Sequence, residues 1–332
     1  MALPQYANRA IKDQSFASVS YIETEEELDF ALHYLEQHNN EYYFRGINDA
    51  RFQMFASSQR NWMEKQPRMT RFNLADYHRT IELLIRLSWS VQEVKDYMSQ
   101  QSVAYNEFFI LALMQHFGVP SPMIDFSTSV WKGLFFAVDS KTALLDNGTE
   151  DLSDYVSLYY IPRNIDWMDC TIQRLMQNAA SDIEYRVKEF QNLNPTLKLN
   201  TFDVEANIRH ALFRQFSPTE GNIKFLPVGG PATGRVQINI PILNFNCDYI
   251  IINDRLLAQE GLFVFNNTEN LPLVELMNSA TQRKIFHCFN IRKWLIPYVH
   301  EQYLYPRGVD YNSIYCVGDH TVDSLQQLLD KV

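Results

Sequence analysis

The spacing of apolar residues predicts several helices in the first 140 residues of the chain. Thr24 followed by Glu27 is a capping-box pattern, and the helix that it opens should end near residues 39–40. Segments 106–117 and 130–138 are apolar almost all round, which is typical of buried helices. A further helix is predicted by apolar residues at helical spacing, namely Leu74, Tyr77, Ile81, Leu84 and Ile85.

Strand patterns occur before and after these helices. Tyr42, Tyr43 and Phe44 predict a short aromatic strand with Arg45 at its end, followed by the flexible Gly46. Further strands are predicted at residues 156–161, 236–242, 249–252, 262–265 and 284–289. Together these elements predict an α+β fold, in which all of these strands form one central mixed, largely antiparallel sheet with helices packed on it.

The segment after the first buried helix is predicted to place polar groups at a fixed position. The helix should end at Gly118, and Pro120 and Pro122 then impose an extended backbone. Asp125 lies at the end of that segment, and the run Ser127–Ser129 offers N-caps to the helix that follows.

The chain is predicted to consist of an N-terminal segment, residues 1–20, and a domain over residues 21–332. A helical insertion is expected at about residues 140–245, because residues 162–220 are polar and carry apolar side chains at roughly helical spacing. A terminal helix is predicted from about Thr321.

Composition and charge exclude several classes of protein. Apolar residues make up 46% of the 332 positions, so a disordered chain is excluded, and no apolar run approaches the ~18 residues of a membrane span. The net charge of −10 argues against general nucleic-acid binding. The N-terminus lacks the pattern of a signal peptide, and the four cysteines form no CxxC pair, so we expect a cytoplasmic protein with reduced core thiols.

The familiar catalytic strings are absent from the sequence. It contains no GxGxxG, GxxxxGK[ST], HExxH or GxSxG, and the glycine-rich segment 229–235 is interpreted as a loop. The eight histidines are scattered, so no metal site is predicted. The basic pairs Arg283–Lys284 and Arg292–Lys293 are interpreted as a solvated face.

Three segments carry polar residues where the pattern predicts burial. Arg45 follows three aromatic residues, Gln115–His116 ends an apolar helix just before Asp125, and Gln259–Glu260 opens an apolar strand at Gly261. Each has a structural explanation: an ion pair of Arg45 with Asp125, a helix cap with a core histidine, or an exposed strand start. Together they predict a pocket.

The same segments resemble the FRG-domain family, whose aromatic-Arg-Gly motif corresponds to Phe44–Gly46. The resemblance continues through Leu113–Ser121 with Asp125–Ser127, and through Arg255 with Gln259–Phe263. Near the C-terminus, Gly308–Tyr315 is similar to the family's closing segment, although Tyr315–Gly318 replaces the usual Phe-Pro-Asp-Leu.

The FRG resemblance implies little chemistry by itself, since the family is largely uncharacterised and often occurs in bacterial proteins associated with phage defence or mobile elements. The order of the motifs is similar to that of ADP-ribosyltransferases, which act on NAD and would here modify a protein or small-molecule acceptor. That similarity implies that NAD is bound by Arg45, Gly46, Asp125, Ser127 and Thr128. It also implies a catalytic role for Glu260 or Gln259, which strand alternation would place on opposite faces. His116 is a further candidate catalytic residue.

Two other functions remain open at this stage. A hydrolase or nuclease would use His116 as general base and Asp125 to orient it, so both side chains should reach one cleft. A non-enzymatic sensor or protein-interaction module would instead use Arg45, His116, Asp125 and Gln259 as a buried polar network without a pocket of cofactor size. A role in phage defence or as a toxin belongs to the transferase hypothesis.

Overall fold

A computed structural model describes residues 4–65, 74–100, 107–139, 151–163, 172–196, 235–240, 245–250, 254–266 and 268–315. Its strands are β1 (Ser18–Ile22), β2 (Tyr42–Ile47), β3 (Met123–Ser127), β4 (Tyr155–Pro162), β5 (Arg235–Ile240), β6 (Phe245–Ile250), β7 (Gly261–Phe265) and β8 (His287–Arg292). Its longer helices before β5 are α2 (Glu25–Gln37), α3 (Ser57–Lys65), α4 (Leu74–Ser90), α5 (Gln92–Gln100), α6 (Glu107–His116), α7 (Val130–Val138) and α8 (Ile172–Leu193), preceded by the short α1 (Arg9–Asp13). Later helical segments are Asp254–Ala258, Leu273–Thr281, Ile296–Tyr298, Val299–Leu304 and Tyr311–Tyr315.

The centre of the fold is a six-stranded sheet in the order β1-β8-β4-β2-β3-β7. The pair β1–β8 is parallel and the other four pairs are antiparallel. This arrangement confirms the α+β class and the mixed, largely antiparallel character of the sheet.

Several local predictions are confirmed. The capping box forms, since Thr24 Oγ1 accepts the Glu27 N–H at 3.2 Å while the Glu27 carboxylate accepts the Thr24 N–H. The buried helix ends at His116, and Gly118 adopts a φ of 76°, a left-handed conformation that favours glycine.

Other local predictions need correction. β2 continues through Gly46 to Ile47, because Arg45 pairs with Tyr159 and Gly46 with Leu158 on β4. Arg45 therefore lies within a strand and not at its end. Ser129 is the N-cap of α7 but makes no capping hydrogen bond through its side chain, and the Asn39 amide oxygen accepts the Val130 N–H at 2.9 Å instead.

The prediction of one sheet is wrong for two strands. β5 and β6 pair with each other, from Arg235↔Ile250 to Ile240↔Phe245, and form a separate two-stranded sheet. Strands that follow each other closely along the chain pair at low entropic cost, and the sequence pattern does not say which sheet they join. β1, which the sequence pattern did not reveal, lies at the sheet edge, where only Ile22 of its five residues is buried and the apolar signal is therefore weak.

The sheet separates two apolar clusters. One face packs against the buried residues of α2 and α7, among them Leu32, Leu35, Leu134 and Val138. The other face packs against the N-terminal residues Tyr6 and Phe16 and against the helix Leu273–Thr281. The segment before residue 20 thus contributes to the core from Tyr6 onward, while the boundaries of the domain and of the insertion stay a prediction.

Lys12 is buried beneath the sheet next to a buried cysteine. Its Nζ donates to the Ala50 carbonyl oxygen at 2.9 Å, to Ser157 Oγ at 2.7 Å and to Asn290 Oδ1 at 2.7 Å. Burial lowers the pKa of Lys12. Cys288 is a free, buried thiol, as expected for a core cysteine.

Some predictions lie outside the described residues, including the helix from Thr321, the loop 229–235 except Arg235, and the thiols of Cys170 and Cys316. Within the described ranges, none of the helices combines the length and the apolar character needed to cross a bilayer.

Candidate functional site

The sheet opens between β2 and β3. These strands pair only at Phe44↔Ser127, whereas β2 pairs with β4 along its whole length. On one side of this pair, Arg45 Nη1 donates to the Asp125 carbonyl oxygen and lies 3.8 Å from Asp125 Oδ2. Arg45 therefore spans the gap where the two strands separate, and the predicted contact with Asp125 is confirmed.

Asp125 is also held by the end of α6. Gln115 Nε2 donates to Asp125 Oδ2 at 2.7 Å, and Ser57 Oγ donates to Gln115 Oε1 at 3.1 Å. In the part of the chain that the structure describes, the buried atoms Asp125 Oδ1 and Arg45 Nε have no hydrogen-bond partner. Buried polar atoms usually have partners, so this cluster keeps unused hydrogen-bonding capacity.

A pocket of about 430 Å³ lies in this opening. Three of the predicted site residues line it, namely Arg45, Gly46 and Asp125, together with Ile47, Asn48, Phe52, Gln53, Met54, Phe55, Arg60 and Phe136. Its volume falls in the usual range for small-molecule pockets, about 300–1,000 Å³. A pocket of ligand size therefore lies where the non-enzymatic interpretation predicted none.

The electrostatics of the pocket are dominated by its two guanidinium groups. Burial lowers the pKa of Arg45, the Asp125 carboxylate opposes this shift, and the nearby Arg60 adds to it. Burial also lowers the pKa of Arg60. Both groups carry a positive charge, because a guanidinium is not deprotonated in proteins at neutral pH. Sequence reasoning missed Arg60, which lies in the mostly polar helix α3 without a motif around it.

A second cluster forms at the opposite side of the Phe44↔Ser127 pair, where β3 meets β7. Ser127 Oγ donates to the Gln259 carbonyl oxygen at 2.8 Å and accepts the Ser129 N–H at 3.0 Å. The Thr128 N–H donates to the Glu260 carbonyl oxygen at 2.9 Å. The Ser-Thr-Ser run and the Gln-Glu pair therefore meet, and they do so largely through main-chain groups.

The predicted orientation of Gln259 and Glu260 needs correction. Both residues precede β7, which begins at Gly261, so strand alternation does not apply to them. Glu260 has a φ of 46°, a left-handed backbone conformation, in the short connection between the helix Asp254–Ala258 and β7. The Gln259 side chain is buried, whereas 49% of the Glu260 side chain is exposed and its Oε1 lies 3.7 Å from Lys132 Nζ. Glu260 is the member of the pair that a ligand can reach.

The two clusters lie at the same strand pair, but residues of only one of them line the pocket at Arg45. The pocket at Arg45 is not lined by Ser127, Thr128, Gln259 or Glu260. His116 does not line it either: the His116 ring packs 5.3 Å from the Phe263 ring, between centroids, and its carbonyl oxygen accepts from Arg255 Nη1 at 2.6 Å. The hydrolase hypothesis needs His116 and Asp125 in one cleft, and only Asp125 lines this one.

In the described ranges, no group of three or more His, Cys, Asp or Glu side chains is placed to hold a metal ion.

The prediction that the basic pair Arg292–Lys293 is solvated is wrong. Both side chains are buried, with Arg292 Nη1 3.5 Å from Asp154 Oδ2 and Lys293 Nζ 3.8 Å from Asp49 Oδ2.

Comparison with known proteins identifies one family. None of the curated proteins and none of the solved structures compared with the chain matches it. The family model of the FRG domain matches residues 40–146. That stretch includes the strand of Arg45, the end of α6 with Gln115, and the strand of Asp125. The protein therefore carries an FRG domain, and the opening between β2 and β3 lies within it.

Proposed function

We propose that this FRG-domain protein is an NAD-using ADP-ribosyltransferase. One observation carries the proposal: the three motifs that resemble those of ADP-ribosyltransferases lie on or beside three strands, β2, β3 and β7, that are neighbours in the sheet. Arg45 lies on β2, Ser127 at the end of β3, and Glu260 immediately before β7. Residues separated by more than 200 positions in sequence are thus assembled around one strand junction.

The chemistry of NAD fits the residues at this junction. Its diphosphate is anionic, and the guanidinium of Arg45 lines a pocket with net positive charge. Arg45 and Gly46 would hold the dinucleotide, while Ser127 and Thr128 keep the neighbouring connection in place through hydrogen bonds to the carbonyl oxygens of residues 259 and 260.

The transfer reaction would proceed at the ribose carbon that bears nicotinamide. The carbon–nitrogen bond breaks and its electron pair leaves with neutral nicotinamide, while an acceptor atom forms a new bond to the same carbon. The Glu260 carboxylate stabilises the positive charge that develops on the sugar and takes the proton lost by the acceptor. Lys132 acts as a positioning residue, because its ammonium lies 3.7 Å from Glu260 Oε1.

The acceptor would be a protein or a small molecule, and water would make the enzyme an NAD glycohydrolase. An activity that modifies a cellular component or consumes NAD would suit a toxin or a phage-defence protein, the setting in which FRG domains often occur. Gln259 is buried and would act by positioning Glu260.

The test is NAD turnover by the purified full chain, measured as nicotinamide release with mass spectrometry of the products. We expect the Glu260→Gln variant, which keeps the shape of the side chain, to lower kcat by about 10²-fold or more with little change in NAD binding. Arg45→Lys should weaken NAD binding, because lysine keeps the charge but loses the planar fork.

Glu301→Gln serves as the matched control, since Glu301 is exposed and lies outside both clusters. The proposal fails if the wild-type protein neither binds nor cleaves NAD at about 1 mM, the upper end of ordinary KM values. It also fails if Glu260→Gln cleaves NAD as fast as the wild type.

A further inference from the structure

The pocket between β2 and β3 contains a second cation that no motif marks. Arg60 lies in the first turns of α3 and lines the same pocket as Arg45 and Asp125. Part of Arg60 remains exposed to solvent, although the protein around its guanidinium desolvates it. Among the described residues the guanidinium makes no hydrogen bond or close ion pair, and Glu64 and Asp125 attract its charge from further away. A guanidinium that enters a pocket without a protein partner is free to bind a ligand.

The charges around the pocket are unbalanced. Among the lining residues, two guanidiniums face one carboxylate, Asp125, which is already engaged by Arg45 and by Gln115. Glu64 attracts Arg60 from outside the lining. The positive charge of Arg60 lowers the pKa of Arg45, so the two cations are close enough to repel each other. A dianionic group between them would relieve this repulsion, and two arginine forks suit the several oxygens of a phosphate chain.

We propose that Arg45 and Arg60 together form a diphosphate-binding subsite, in which Arg60 is a binding residue that favours a nucleotide over an uncharged nucleoside. This inference deepens the proposed function, because NAD contains such a diphosphate, but the subsite would equally bind a free nucleoside diphosphate. Phe52 and Phe136 line the same pocket and offer apolar surface to a base or sugar beside the phosphates.

Calorimetric titration of the full chain with pyrophosphate, ADP, ADP-ribose and adenosine tests the subsite. Wild-type protein should bind the three diphosphate compounds and bind adenosine more weakly. Arg60→Gln should weaken each of the three by about tenfold or more, the usual effect of losing one charge-assisted hydrogen bond, and Arg60→Lys should fall in between. Arg79→Gln, which removes the same charge from an exposed arginine on α4, should leave all affinities unchanged.

The outcomes separate the subsite from the transferase. Diphosphate binding that depends on Arg60 without any release of nicotinamide from NAD would support the subsite and overturn the transferase. NAD cleavage with an unchanged KM and unchanged pyrophosphate affinity in Arg60→Gln would overturn the subsite alone. Wild-type protein that binds none of the diphosphates would also overturn it. Equal losses in Arg60→Gln and Arg79→Gln would overturn it as well, because the affinity would then follow net charge and not the position of Arg60. Binding of ADP-ribose but not of ADP or pyrophosphate would overturn it too, because recognition would then depend on the second ribose and not on the diphosphate.

Discussion

Gly46 tests how the FRG motif works, because it lies where β2 packs directly on the backbone of α7. A β-carbon at position 46 would lie 2.1 Å from the Ala137 nitrogen and 2.3 Å from the Gly133 oxygen. The contact is reciprocal, since a β-carbon at Gly133 would lie 2.6 Å from the Phe44 β-carbon. The glycine of the motif therefore has a packing role besides its place in the pocket lining.

The free-energy cost of Gly46→Ala follows from these distances. Non-bonded carbon contacts are comfortable at about 3.5 Å, so the helix would have to move by more than about 1 Å. The obstructing atoms are main chain and have no rotamer to escape into. Overpacking a core usually costs about 1–3 kcal/mol, and we expect Gly46→Ala to destabilise the fold by about 3 kcal/mol, a large part of a typical stability of about 5–15 kcal/mol.

Urea unfolding without ligand measures this cost, and Gly308→Ala is the matched control. Gly308 has a φ of 65° and no atom within 4 Å of its β-carbon position, so the same substitution there adds backbone strain alone, about 1 kcal/mol. The reasoning is refuted if both variants lose the same free energy of unfolding. In that case the glycine of the motif would not be required by packing.

Two further predictions concern stability. Thr24→Ala removes the side-chain acceptor of the Glu27 N–H and should lower the free energy of unfolding by about 1 kcal/mol in urea titrations; an unchanged midpoint would contradict it. Burial raises the pKa of Cys288 to about 11 from an ordinary value near 9, so the folded protein keeps a proton that the unfolded chain loses above pH 9. The stability of the wild type relative to Cys288→Ala should therefore fall between about pH 9 and about pH 11 and stay constant below that range; a difference independent of pH would contradict this.

Local patterns were sufficient for many elements of this fold. The capping box at Thr24, the apolar stretches of α6 and α7 and the strand containing Phe44 follow from side-chain spacing and backbone preferences within a few residues. The contact between Arg45 and Asp125 was also predictable, because a buried cation needs an anionic partner.

Only the tertiary structure decided which elements lie side by side. It places β5 and β6 in a sheet of their own and buries Arg292 against Asp154, a pairing between residues 138 positions apart. It also brings Arg60 to the pocket at Asp125 and separates His116 from that pocket. Side-chain spacing reports which face of an element is apolar, but the partner of a polar group depends on strand order and helix placement. These are set by packing of the whole chain, so the composition of the site emerged only from the fold.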